Sequence, residues 1–149
     1  MALCMQEVYR NALEELMPLA EARRIDIGVS SDAEVTVNAP YSDMLVLVRN
    51  IVDNAIRYTP EDGRVDLSMG ADAGHAWIRV EDTGPGIRDD DQRRVFDPFY
   101  RVPGNDADGS GLGLSIVSTI AARLRADIEL LNVKPAGLVV TVRFERSRE

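Results

Sequence analysis

The stretch Ser42 to Pro60, SDMLVLVRNIVDNAIRYTP, decides how the rest of the chain is read. At about 100° per residue, Leu45, Val48, Ile51, Val52, Ala55 and Ile56 sweep one side of a helix over Ser42 to Tyr58, which Pro60 stops. Asn50, Asn54 and Arg57 fall within roughly 60° of one another on the other side. A polar helix face ordinarily means solvent. Asparagine, however, is a mediocre helix former, costing several tenths of a kcal/mol against alanine at each site, and two of them one turn apart weaken that plain reading. Amide oxygens at i and i+4 suit magnesium, which takes hard oxygen ligands, keeps several waters and completes its shell from substrate phosphates. Arg57 beside them can meet a phosphate oxygen. Tyr58 at the helix end offers either an aromatic surface for a ligand or simple packing.

Working outward, the segment from Gln6 to Arg24 places Val8, Leu13, Leu16, Leu19 and Ala20 at helical spacing, with a kink or a new start expected at Pro18. Residues 1–24 read as a lead-in helix from something upstream. Ile25, Ile27 and Val29 alternate with polar or small residues, as do Val35 and Val37, giving two short strands around a turn at Ser31 and Asp32. Beyond Pro60, the Asp62-Gly63 turn leads to strands over Val65 to Met69 and Ala76 to Val80, a hairpin joined across Gly70 to Gly74. Asp82 to Gly113 is rich in glycine, proline and acids, with a brief helical piece near Asp91 to Phe96; so long a connection is usually functional. A helix over Leu112 to Arg125 and strands over Ile128 to Val133 and Leu138 to Phe144 close the chain, the strands separated by a turn from Lys134 to Gly137. The sum is an α+β fold, a two-layer α/β sandwich: a mixed, mostly antiparallel sheet with about three helices on one face.

Composition narrows the chemistry. The 149 residues suit a single domain, 1–149, and 45% hydrophobic with 28% charged residues is a globular balance. No apolar run approaches the roughly 20 residues that span a bilayer. Seventeen Lys and Arg against 25 Asp and Glu leave a net charge of -8, which disfavours nucleic acid as a partner. One cysteine, Cys4, and one histidine, His75, supply neither a disulfide nor a zinc cluster, and fit a reducing compartment. The sole lysine, Lys134, follows no P-loop, and no Gly-x-Ser-x-Gly elbow is present. Chemistry must come from carboxylates, amides, arginines and glycine backbone.

Two glycine clusters flank the long connection. Glu81-Asp82-Thr83-Gly84-Pro85-Gly86-Ile87 follows a strand directly, so Asp82 is held at a strand end while Gly84 and Gly86 let the backbone bend close to a flat ligand. A carboxylate there can accept a hydrogen bond from an exocyclic amine; an Asx-turn is an equally good account of this heptapeptide alone. Gly109-Ser110-Gly111-Leu112-Gly113-Leu114-Ser115-Ile116 runs straight into a helix, where free N–H groups and the helix dipole favour phosphate. Neither cluster fits the dinucleotide fingerprint, since Leu114 stands where a third glycine is required.

The order of these features resembles the ATP-binding catalytic domain of sensor histidine kinases, in the superfamily that also holds DNA gyrase B and the mismatch-repair ATPases. NIVDNAIRYTP, Asn50 to Pro60, is similar to that family's N box, and Asp82 to Ile87 to its first glycine box. VFDPFYR, Val95 to Arg101, resembles its F box, and GSGLGLSI, Gly109 to Ile116, its second glycine box. The resemblance covers essentially the whole chain.

It implies ATP and Mg²⁺ as ligands. Asn50 and Asn54 would hold the metal and through it the triphosphate, Arg57 would stand near the phosphates, and Tyr58 would lie against the nucleotide. Asp82 would accept the adenine amino hydrogen, with Gly84, Gly86 and Ile87 around it. Arg88 to Ser110 would form a flexible lid with Phe96 and Phe99 as apolar anchors and Arg101 as a phosphate contact. Gly109, Gly111 and Gly113 would hinge that lid and present N–H groups to phosphate, with Ser110, Leu112 and Leu114 beside them as further nucleotide-binding positions. Two departures stand out: Asn38-Ala39-Pro40 lacks the acid often found before that proline, and Leu138 follows Gly137 where a small hydroxyl residue is common.

ATP-hydrolysing relatives place a glutamate where this chain has Asn50. A neutral imidazole attacks with an existing lone pair, so transfer to histidine can rest on positioning and metal electrostatics without a general base. The resemblance therefore implies γ-phosphoryl transfer to a histidine on an upstream dimerisation domain of the same kinase, then to a response regulator receiver domain. His75, at the start of a hairpin strand, is not that acceptor. The isolated domain is expected to be a monomer, the cytoplasmic portion of a membrane-anchored sensor. The alternatives are a regulatory module that binds nucleotide without transfer, and an ATPase or serine kinase of the wider superfamily.

Overall fold

The computed structural model describes residues 2–30, 33–98 and 113–145. In chain order the elements are β1 (Ala2–Cys4), α1 (Met5–Ala22), β2 (Asp26–Val29), β3 (Thr36–Asn38), α2 (Tyr41–Tyr58), β4 (Arg64–Ala71), β5 (His75–Asp82), α3 (Asp89–Gln92), α4 (Gly113–Arg123), β6 (Asp127–Asn132) and β7 (Leu138–Glu145). Five strands form one sheet in the order β2-β4-β5-β7-β6, with only the β2–β4 pair parallel. Helix α2 packs over β4 and β5, flanked by α1 toward β2 and α4 toward β6. This is the mixed α+β sandwich that the periodicities predict, with α3 a single extra turn.

The core lies between these layers. Val65, Leu67 and Met69 of β4 and Ala76, Ile78 and Val80 of β5 are buried at alternate positions, as a half-covered sheet requires, whereas β7 buries Val139 and Thr141 on the other face as well as Leu138, Val140, Val142 and Phe144 on this one. Met44, Leu47, Val48, Ile51, Val52, Ala55 and Ile56 of α2 meet them. Leu45, assigned above to the apolar stripe, is only half-buried, and Met44 and Leu47 are fully enclosed instead. The α1 face is made by Met5, Val8, Tyr9, Ala12, Leu16 and Ala20.

The structure refines three of these readings. Helix α1 continues through Pro18 to Ala22, because the proline lies on the exposed side, where water can satisfy the carbonyl that loses its partner, while buried Leu16 and Ala20 hold the turn to the core. The two short strands do not pair with each other: β2 runs parallel to β4, and β3 pairs with β1 in a separate two-stranded sheet. Period-2 alternation identifies strands but not their partners. The hairpin is longer than predicted, its strands meeting at an Asp72 side chain that accepts hydrogen bonds from the N–H groups of Gly74 and His75.

Tyr9 ties α1 to the sheet. Its hydroxyl donates to the Ser68 carbonyl at 2.6 Å, and burial pushes the phenol above its ordinary range. Tyr9→Phe is expected to cost about 1–2 kcal/mol, because Ser68 O loses a partner in a nearly closed environment. Urea denaturation checks this, and an unchanged midpoint would mean that water replaces the hydroxyl without loss.

Candidate functional site

Asp82 is the last residue of β5 and shares the facing of Ala76, Ile78 and Val80, so alternation turns its carboxylate toward the helix layer. It is 7% exposed. Its Oδ1 accepts the Gly84 N–H at 2.8 Å, as an Asx-turn does, and the Leu138 N–H also bonds the carboxylate. The turn and the site are therefore compatible. Desolvation dominates these bonds and, with Glu81 nearby, raises the acid from 3.8 to about 6. A buried carboxylate held by two donors still has acceptor capacity left.

The glycine bend leans on the end of α2. A Cβ at Gly84 would stand 3.0 Å from the Tyr58 carbonyl oxygen and 3.0 Å from Asp82 Oδ1. Gly86 has φ +78°, and Gly137, with φ +143°, would put a Cβ 2.6 Å from the Asp82 carbonyl oxygen. Gly86 and Gly137 need glycine both for conformation and for space, Gly84 for space alone. Arg23 holds the α2 end from the other side, Nε donating to Ile56 O at 3.1 Å and Nη2 to Thr59 O at 2.8 Å.

From Tyr58 the polar ridge runs back along α2 through Asn54 to Asn50, about 12 Å at 1.5 Å per residue. All are half-buried. Asn50 Nδ2 donates to Val46 O at 2.8 Å, which turns its Oδ1 outward, and a Cβ at Gly113 would stand 3.6 Å from that oxygen. The first turn of α4 thus abuts the far end of the ridge, with Leu114 buried behind it. Asn54 makes no side-chain hydrogen bond to another described residue. Arg57 Nε is paired with Asp53 at 3.1 Å, one turn back along α2. No cluster of three or more His, Cys, Asp or Glu that could hold a metal ion occurs among the described residues. An outward amide oxygen and an unengaged amide, without a carboxylate cage, are a donor set suited to magnesium already carried by phosphates.

The structure therefore places Asn50, Asn54, Arg57 and Tyr58 along α2, with Gly84 against its Tyr58 end and Gly113 beside Asn50; Asp82, Gly86 and Ile87 flank Gly84 in the bend, and Leu114 follows Gly113. Phe96 is half-buried against the core beside buried Val95. Phe99, Arg101, Gly109, Ser110, Gly111 and Leu112, with most of the expected lid over residues 88–110, lie outside the described residues. The departure at Asn38-Ala39-Pro40 leaves α2 without a side-chain cap at Pro40. Leu138 contributes its backbone N–H to Asp82, so its side chain is not needed for that bond.

One contact went unread in the sequence. Asn132 Oδ1 accepts the Ile87 N–H at 2.8 Å while its Nδ2 donates to Ile87 O, also at 2.8 Å. The signal was available: Ile128, Leu130 and Asn132 alternate as Ile78, Val80 and Asp82 do, each series ending on a polar residue with the facing of its core positions.

A buried carboxylate beside a glycine bend thus touches one end of an amide-bearing helix, and a glycine-led helix meets the other end. The family profile described as "Histidine kinase-, DNA gyrase B-, and HSP90-like ATPase" matches residues 41–148, and the chain belongs to this family. Sensor protein QseC of Escherichia coli (strain K12) is 33% identical over 139 residues, covering 93% of this chain and 30% of that protein. The mycobacterial sensor histidine kinase MprB superposes with a TM-score of 0.86 at 28% identity, covering 97% of each chain. Full-length ShkA, solved in complex with AMPPNP, gives a TM-score of 0.85 at 26% identity over 99% of this chain and 31% of that one. Within the family the chain is the catalytic domain of a sensor histidine kinase. It spans about a third of the length of the curated relatives it matches. No helix among the described residues is long and apolar enough to cross a membrane.

Proposed function

We propose that the chain binds Mg²⁺-ATP along α2 and transfers the γ-phosphoryl group to a histidine on a dimerisation domain of the same kinase, for onward transfer to a response regulator receiver domain. The observation that carries the nucleotide reading is the Asp82 carboxylate, buried at the end of β5 against a glycine bend that touches the end of α2. The AMPPNP complex of ShkA supports the ligand class. In this reading Asp82 accepts the adenine amino hydrogen, and Tyr58, Gly84, Gly86 and Ile87 border the base. The oxygens of Asn50 and Asn54 hold magnesium, while Arg57 and Arg101 meet phosphate. Gly109 to Leu114 supply N–H groups at the start of α4, and Phe96 and Phe99 anchor the lid. Residues 1–24 lead in from the dimerisation domain.

Bound magnesium neutralises charge on the phosphate oxygens. The protein's own contribution is alignment. With adenine fixed at Asp82 and the phosphates led along the ridge toward Gly113, the γ-phosphorus is presented at the open end of the cleft, where an imidazole nitrogen forms the new N–P bond as the bond to the ADP oxygen breaks. Asn50, a neutral residue, does not deprotonate water, which favours transfer over hydrolysis. His75 sits at the exposed start of β5 with its N–H tied to Asp72, away from this arrangement.

The test is labelled Mg²⁺-ATP with a histidine-bearing dimerisation domain of the parent kinase. Acid-labile label on that domain is the expected result. Occupied nucleotide without label would instead indicate a regulatory module, acid-stable label a serine kinase, and rapid phosphate release abolished by Asn50→Ala an ATPase.

A further inference from the structure

We infer that Asn132 is a positioning residue for adenine selection, acting on Asp82's glycine bend through the backbone of Ile87; the inference rests on the adenine reading of Asp82. Asp82, Leu138 and Asn132 are register partners across β5, β7 and β6, so they form one row at the edge of the sheet nearest the cleft. The segment from Thr83 to Ile87 leaves β5 at Asp82, arches past the neighbouring β7 and lands on Asn132 of β6. It is pinned at both feet by side chains: Asp82 Oδ1 to Gly84 N at 2.8 Å, and the Asn132 amide to both polar backbone groups of Ile87 at 2.8 Å.

The second foot copies a strand pairing. A primary amide presents a donor and an acceptor side by side, as the next strand's backbone would, and β6 is the outermost strand, with no further strand to do this. Gly86 completes the fit, since a Cβ there would stand 2.4 Å from Asn132 Oδ1 and 3.1 Å from Gly137 O. Ile87 O also accepts Gln92 Nε2 at 3.0 Å, so the same carbonyl receives the first turn after the bend. Ile87 is buried while Asn132 is exposed. An exposed side chain that spends both hydrogen-bonding groups on one backbone unit contributes little core packing. Its loss releases the bend and leaves the sheet intact. Because the bend sets where the base lies relative to the Asp82 carboxylate, the consequence falls on discrimination between an amino and a carbonyl group at the purine's edge.

Calorimetric titrations of the whole chain with Mg²⁺-ATP and Mg²⁺-GTP test this, on the unsubstituted protein, Asn132→Ala, Asn132→Asp and Asp82→Asn, each well below its melting temperature. Asn132→Ala is expected to lower the ATP-to-GTP affinity ratio about tenfold. Asn132→Asp keeps the acceptor for Ile87 N–H but sets a carboxylate against Ile87 O, and should lower the ratio by a comparable factor; it also serves if the alanine variant does not fold. A purely structural role would lower the melting temperature and leave the ratio unmoved in both variants, which overturns the inference. If instead the unsubstituted chain does not favour ATP, or Asp82→Asn leaves its preference unchanged, the adenine reading fails and the inference with it. A preference lost in Asp82→Asn but retained in both Asn132 variants overturns the inference alone.

Discussion

Asp82→Asn is expected to weaken ATP binding by about 100-fold while making the nucleotide-free protein more stable above pH 6. Both effects come from one buried charge. Removing a charge-assisted hydrogen bond in a desolvated site costs on the order of 3 kcal/mol of binding. The same burial raises the carboxyl from 3.8 to about 6, so the folded state holds its proton more tightly than the unfolded state does. The stability tied to that proton is fully present below about pH 4 and is lost as pH rises through 6, reaching about 3 kcal/mol for a shift of this size. Asparagine carries no such penalty, although it keeps only one acceptor oxygen for Gly84 and Leu138. Thermal melts at pH 4 and pH 8 should show a gain only at the higher value. Affinity for ATP should move the opposite way, since the acceptor must be ionised: about tenfold weaker at pH 5 than at pH 7, beyond any change seen in Asp82→Asn, which shares the nucleotide's own phosphate titration. A gain in stability without a loss of ATP affinity would leave Asp82 a buried structural acid.

Asn50→Ala is expected to lower phosphoryl transfer to a dimerisation domain about 100-fold, with a smaller loss of Mg²⁺-ATP affinity. Its amide is tied by Nδ2 to Val46 O, so the oxygen is preset outward beside Gly113. Removing it takes away a ligand at the phosphate end of the ridge, where misalignment costs rate more than binding. The Asn54 side chain makes no hydrogen bond to another described residue, so Asn54→Ala should reduce Mg²⁺-ATP affinity about tenfold without lowering the melting temperature. Titrations with and without Mg²⁺ separate these effects. Equal affinities across all three proteins would make the ridge a solvated helix face.

How much of this was legible depended on the range of the contact. Helix α2 was bounded within a residue because Pro60 and the 3.6-residue period are local signals, and Asp82 could be placed at a strand end from the alternation before it. The pairing of β2 with β4 and of β1 with β3 was not legible, because the partners are set by which edges remain free once the hairpin and α2 are packed. Arg57 shows the limit within one helix. Its place on the ridge was correct, but its pairing with Asp53 depends on rotamers that spacing does not determine. Asn132 lay in plain view of the alternation rule and was missed because its partner is a backbone unit 45 residues away.

The most direct measurement is the structure of this chain with Mg²⁺ and a non-hydrolysable ATP analogue. The account predicts the adenine amino group within hydrogen-bond distance of the Asp82 carboxylate, and a metal between the triphosphate and the amide oxygens of Asn50 and Asn54. An analogue bound elsewhere, with Asp82 still enclosed and both asparagines in contact only with solvent, would contradict it.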